Sequence, residues 1–151
     1  MKIFTNNLQL IFKLSNICLI ILYLYPGSIL GFFLYNDFSN QPQITRDLFQ
    51  ISSNHIYAFS LISIFGLFAF KTKKRLFAYL VCLSIVLELF HLVIPNRSFQ
   101  TGDLNGNLLG VIIPFFIHKV SEILFKTKFS PLKHFNSLID SFFIKNCVDS
   151  C

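Results

Sequence analysis

Six polar side chains stand where an apolar chain has little use for them: His55, Glu88, His91, Arg97, Asp103 and Asn107. Glu88 lies between Leu87 and Leu89. A carboxylate in such company must be neutral, paired or turned toward a wet cavity. His91 follows three residues later, which on a helix is the same face. Arg97 comes just beyond Pro95 and Asn96, and Asp103, Asn107 and Gly110 fall at steps of four and three that share one helical stripe. Two kinds of chemistry fit these residue types. His55 or His91 could act as a general base, with Glu88 as acid or orienting partner. Alternatively, the planar fork of Arg97 could grip phosphate or carboxylate, with Asn107 and His55 adding neutral hydrogen bonds and Glu88 and Asp103 fixing the guanidinium. A Glu followed three residues on by His is also half of a di-iron helix-bundle site. That architecture takes two such pairs and this chain carries one, so neither a metal nor another cofactor is expected. No serine or thiol nucleophile motif and no phosphate-cradling glycine loop accompanies the six.

Structural roles compete for the same residues. His55 could be an interfacial side chain, and Glu88 could pair with Arg97 simply to hold two helices together. Asp103 could cap a helix N-terminus. Asn107 could hydrogen-bond between helices, and Gly110 could only permit close packing. The joint pattern is more informative than any single position. All six fall near one end of the apolar runs that carry them.

The elements that must position them come from the composition. Of 151 residues 54% are apolar, 17% are aromatic and only 13% are charged, against about 25% charged in an average soluble domain. This excludes a disordered chain and argues against a soluble domain or a nucleic-acid binder. The +6 balance sits between apolar runs, as at the flanks of membrane spans. Four runs of about 19 to 22 residues cover roughly 14–35, 51–70, 76–94 and 104–125. As helices they match the ~30 Å hydrocarbon core, and helix is the state that satisfies the backbone in lipid. The expected fold is therefore all-α: an integral membrane bundle of about four transmembrane helices over residues 1–125, followed by a short amphipathic C-terminal helix in a tail over 126–151.

The first run is longer than a signal-peptide core and no small-x-small site follows it cleanly, so it reads as a retained span that Pro26 and Gly27 kink or end. Lys2, Lys13, the Lys71–Arg75 loop and Lys119, Lys126, Lys128, Lys133 and Lys145 put both termini and that loop in the cytoplasm, while the loops around 36–50 and 95–103 carry only Arg46 and Arg97 and face outward. The expected location is the inner membrane, multi-pass. Cys18 and Cys82 read as packing residues inside spans, and Cys147 and Cys151 lie in the tail, where a structural disulfide is not expected.

The stretch Glu88-Leu-Phe-His91-Leu-Val-Ile-Pro95-Asn-Arg97, continuing to Asp103, Asn107 and Gly110, resembles the signature of the VanZ-like family of small membrane proteins. That signature is a Glu, a polar residue three on, Pro-x-Arg, an Asp six past the Arg, an Asn four further and a Gly three further. His55 fits the family's His near the start of the preceding helix, and the resemblance covers about residues 45–115. Three positions depart from it: His91 stands for the usual Gln, Asn54 for a Lys, and Pro114, which should bend the fourth span, for a second Gly. The resemblance implies a role in the bacterial cell envelope, and its founding member is associated with reduced susceptibility to the glycopeptide teicoplanin. The expected partners are membrane lipids and a lipid-linked cell-wall precursor, held at the outward polar cluster. The alternatives are an intramembrane enzyme acting on a lipid-linked envelope substrate and a purely structural helix bundle.

Overall fold

The computed structural model describes the backbone of residues 2–47 and 49–148 and the side chains of residues 6–47 and 49–127. The described residues form five helices and no strand: α1 (Lys2–Leu24), α2 (Ile29–Tyr35), α3 (Ser53–Ala69), α4 (Lys73–Phe90) and α5 (Thr101–Val148). The chain divides into two compact units, Met1–Phe115 and Phe116–Cys151.

Within the first unit the helices bury an apolar core together with several polar side chains and leave further apolar stripes on the outside. Leu10, Leu14, Ile17 and Ile21 form an exposed apolar stripe on α1, and Tyr57, Leu61, Ile64 and Phe68 form another on α3. Buried among the helices are Asn16, Ser63, Ser84, Glu88, His91 and Asn107, packed with Phe59, Ile62, Leu80, Leu87 and Val111. Exposed apolar stripes of this extent need a nonaqueous neighbour. Two segments, Asn6–Leu24 and Thr101–Thr127, are long and apolar enough to cross a membrane, and only 22% and 17% of their windows is buried inside the fold.

The run over 14–35 is not one helix. Pro26 has no N–H to continue the ladder and pushes Tyr25 away from helical geometry, and Gly27 takes φ +131, open in practice to glycine alone. Ser28 then caps α2, its Oγ accepting the Gly31 N–H at 2.9 Å. Asn36 ends α2 in the left-handed region, its N–H reaching Gly31 O and Phe32 O. The apolar segment of α1 accordingly lies further toward the N-terminus and includes Lys13, which is exposed. Beyond α2, the Ser39 hydroxyl and N–H both donate to Asp37 Oδ1, which holds the Asp37 carboxyl below the usual carboxylate range.

Glycines set how closely the helices approach. A Cβ on Gly66 would lie 2.8 Å from Leu76 and 2.9 Å from Phe12, where α1, α3 and α4 meet. On α5, Gly102, Gly106 and Gly110 recur every fourth residue and lie against the backbone of α3 and the residues just before it. A Cβ on Gly106 would lie 2.6 Å from Ser52 O, and one on Gly110 2.6 Å from Ile56 O. A small residue every fourth position lets two helix backbones touch. At the other end of α3 the Lys73 ammonium donates to the carbonyls of Leu67 and Phe70, satisfying acceptors the helix cannot.

Two expectations need correction. Cys18 and Cys82 are exposed rather than packed, because both fall on the outward stripes. Asp103 sits in the first turn of α5 and does not cap it. Pro114 is buried within α5, and the helix continues on both sides of it. The tail continues the backbone of α5 as far as Val148, while the amphipathic pattern expected there, with Cys147 and Cys151, lies outside the described side chains. In the second unit, His118 Nε2 approaches Glu122 Oε1 at 3.6 Å one turn on.

Candidate functional site

Four helix ends meet at one end of the first unit: the C-termini of α1 and α4 and the N-termini of α3 and α5. The Tyr23 hydroxyl of α1 donates to Asn107 Oδ1 of α5 at 2.5 Å and lies 2.8 Å from His55 Nδ1 of α3. His55 Nδ1 is also 3.0 Å from Asn107 Oδ1. An amide oxygen only accepts, so all three contacts are satisfied together when Nδ1 carries its hydrogen. The other ring nitrogen, Nε2, then faces Asp103 Oδ2 at 3.6 Å.

Glu88 lies in the last turn of α4 and is fully buried. Its Oε1 accepts the Gln100 N–H at 2.9 Å, which ties the loop before α5 to α4. Its Oε2 makes no hydrogen bond, and His91 Nδ1 stands 3.4 Å away. The His91 ring stacks on Tyr23 with centroids 5.9 Å apart, and its Nε2 lies 3.1 Å from Tyr23 O. The positive ends of α3 and α5 point at this acidic cluster, the arrangement that favours negative charge.

Arg97 is not held by the carboxylates expected to fix it. Among the described residues it forms no ion pair with Glu88 or Asp103. Its Nη2 donates to Gly27 O at 2.7 Å and its Nε to Tyr25 O at 3.3 Å. The break at Pro26–Gly27 releases main-chain carbonyls that no helix can use, and Arg97 and His91 take them up. Two donors are thereby committed of the five a guanidinium carries.

Two cavities of about 550 Å³ each flank this point. One is mostly apolar and runs among α1, α2 and α3 past Leu22, Leu30, Leu34, Ala58 and Leu61. The other is polar, with Ser39, Asn96, Ser98, Gln100 and Asp103 in its walls. Gly27, Ser28, Gln41, His91 and Arg97 border both. The loop over 41–45 closes one side of the apolar cavity. Asn54 holds it, donating to Pro42 O at 2.7 Å and accepting the Ile44 N–H at 3.0 Å.

All six residues singled out by the sequence therefore lie at this end of the first unit. His55, Asp103 and Asn107 form one group, Glu88 and His91 another, and Tyr23 touches both; Arg97 stands on the broken helix beside them. A ring nitrogen of His55 and one carboxylate oxygen each of Glu88 and Asp103 lie within 4.8 Å of one another. Those three could hold a cation, and the Glu88–His91 pair by itself could not. The sequence reading missed Tyr23, the Gln100 N–H and the carbonyls of Tyr25 and Gly27. Tyr23 carried one signal, a hydroxyl three residues ahead of a Pro-Gly break. Compared with family models, with curated proteins and with solved structures, the chain finds no match in any of the three.

Proposed function

We propose that this protein is a VanZ-like, four-span protein of the bacterial inner membrane, with both termini cytoplasmic, that binds the phosphate-bearing headgroup of a membrane lipid at its outward helix ends. The observation that carries the reading is the pair of cavities that share Arg97 and His91. A polar chamber and an apolar one meeting at a guanidinium suit an amphiphile, with the anionic group on Arg97 and the tail along α1 and α3. The broken helix α1–α2 supports it as well, since irregular backbone at membrane depth is tolerated where it lines a cavity. A lipid-linked cell-wall precursor is one ligand of this chemistry. Mass spectrometry of lipids retained by the detergent-extracted protein tests the reading. A phosphate-bearing lipid enriched over the bulk extract, and lost in Arg97→Ala, is the expected result. The same lipids in the same ratios as the extract would overturn it.

One arrangement favours a second reading, an intramembrane hydrolase or transferase. His55 is oriented through Nδ1 by Tyr23 and Asn107 and presents Nε2 toward Asp103, the layout of a positioned general base. On that reading a His55 substitution would leave lipid retention intact and abolish turnover.

A further inference from the structure

We propose that His55, Glu88 and Asp103 form a divalent-cation site, with a ring nitrogen and two carboxylate oxygens converging from α3, α4 and α5. The donor atoms lie within 4.8 Å of one another. His55 Nε2 and Asp103 Oδ2, at 3.6 Å, are already close to the ~3.4 Å edge of a tetrahedron built on metal–ligand bonds of about 2.1 Å.

Three independent features point to a cation. The first is Glu88: fully buried, it has one oxygen on the Gln100 N–H and the other without any hydrogen bond. The nearest group to that second oxygen is His91 Nδ1 at 3.4 Å, outside hydrogen-bond geometry, which leaves the buried carboxylate room for a partner of another kind. The second is charge. Glu88 and Asp103 converge, their ionic neighbours are both histidines, and Arg97 is committed to the carbonyls of Tyr25 and Gly27 instead. The third is the second layer around His55. With Nδ1–H directed at Asn107 Oδ1, Nε2 faces Asp103, and either a proton on Nε2 or a cation between the two satisfies that contact. A hydrogen bond that fixes the tautomer through the far nitrogen is what a metal-bound histidine ordinarily has.

One nitrogen and two carboxylate oxygens suit Zn²⁺ or Mn²⁺ better than a cation that prefers all-oxygen or all-sulfur donors. Three protein ligands leave a coordination position for water or another oxygen, and Asp103 borders the polar cavity from which it would come. The site stands apart from the headgroup reading, since it needs no lipid.

The test uses full-length, tag-free protein in detergent, stripped with chelator, loaded with Zn²⁺ alone and desalted, with metal counted by plasma mass spectrometry. About one Zn²⁺ per chain is expected in the wild type and in His118→Ala, with a rise in melting temperature on adding Zn²⁺. Asp103→Asn and His55→Gln, which keep size and polarity, should bind at least about tenfold more weakly and lose the thermal shift. Their circular dichroism reports folding separately. Wild type that takes up no zinc and shows no thermal shift overturns the proposal. So does an Asp103→Asn or His55→Gln protein that is folded and binds zinc as wild type does.

Discussion

The Tyr23 hydroxyl donates to Asn107 Oδ1 at 2.5 Å, and this bond joins α1 to α5 directly beside His55. It links the two segments whose lengths and compositions suit membrane crossing. Replacing Tyr23 with Phe keeps the ring stacked on His91 and removes only the hydroxyl. Asn107 Oδ1 then loses one of its two donors and the His55 Nδ1–H one of its two acceptors in a buried place, which costs about 1–3 kcal/mol. Thermal unfolding in detergent followed by circular dichroism should register the loss, and an unchanged melting temperature would mean the bond contributes nothing.

Arg97→Lys separates geometry from charge. A lysine keeps the positive charge and loses the planar fork that reaches Tyr25 O and Gly27 O together. Phosphate-bearing lipid retained per chain should fall at least about tenfold, since two-point recognition is lost. Retention equal to wild type would show that charge alone suffices there.

Glu88 tests the loop before α5. Glu88→Gln keeps an acceptor for the Gln100 N–H, and Glu88→Ala removes it and leaves a void. The alanine protein should be less stable than the glutamine protein by about 1–3 kcal/mol or more. Equal melting temperatures would mean that the loop is held by other contacts.

Gly106→Val puts branched carbons where a Cβ alone would stand 2.6 Å from Ser52 O and 3.0 Å from His55 Cβ. Overpacking of this kind costs about 1–3 kcal/mol. It should also weaken zinc uptake, because His55 and Asp103 are carried apart. A stable variant with wild-type uptake would refute the close α3–α5 contact.

Cys18 and Cys82 report the membrane. Both are exposed on apolar faces, Cys82 near the middle of α4 and Cys18 six residues before the end of α1. With Cys147 and Cys151 replaced by Ser, a membrane-impermeant charged maleimide should leave both unlabelled in intact vesicles and label them once the protein is denatured in detergent, because the reacting thiolate does not form among acyl chains. Rapid labelling by the charged reagent would place these faces in water and remove the four-span reading.

The sequence exposes part of the site and hides the rest for definite reasons. Glu88, His91, Asp103 and Asn107 are conspicuous because each is a polar side chain in an apolar run, and helical spacing puts them on shared faces. Tyr23 is not, because a tyrosine near the end of a span reads equally well as an interfacial ring. The partners of Arg97 were beyond reach, since they are main-chain carbonyls set free by a helix break, and side-chain spacing says nothing about them. The break in the first run was legible, since Pro26 and Gly27 mark it in the sequence and α1 ends at Leu24, just before them. The helical class was legible throughout. The exposed positions of Cys18 and Cys82 were not, because a run apolar on all faces does not say which face turns outward.

The Gly102–Gly106–Gly110 stripe has a consequence for how the site comes into being. Glycines at every fourth place act like the teeth of a rack: α5 can sit against α3 in one register, or slip by a whole tooth of about 6 Å. A slip of that size would carry Asp103 and Asn107 away from His55 in a single movement. Asp103 and Asn107 therefore join His55 together or leave it together, while the contacts of Glu88, His91 and Tyr23 with one another do not depend on α5.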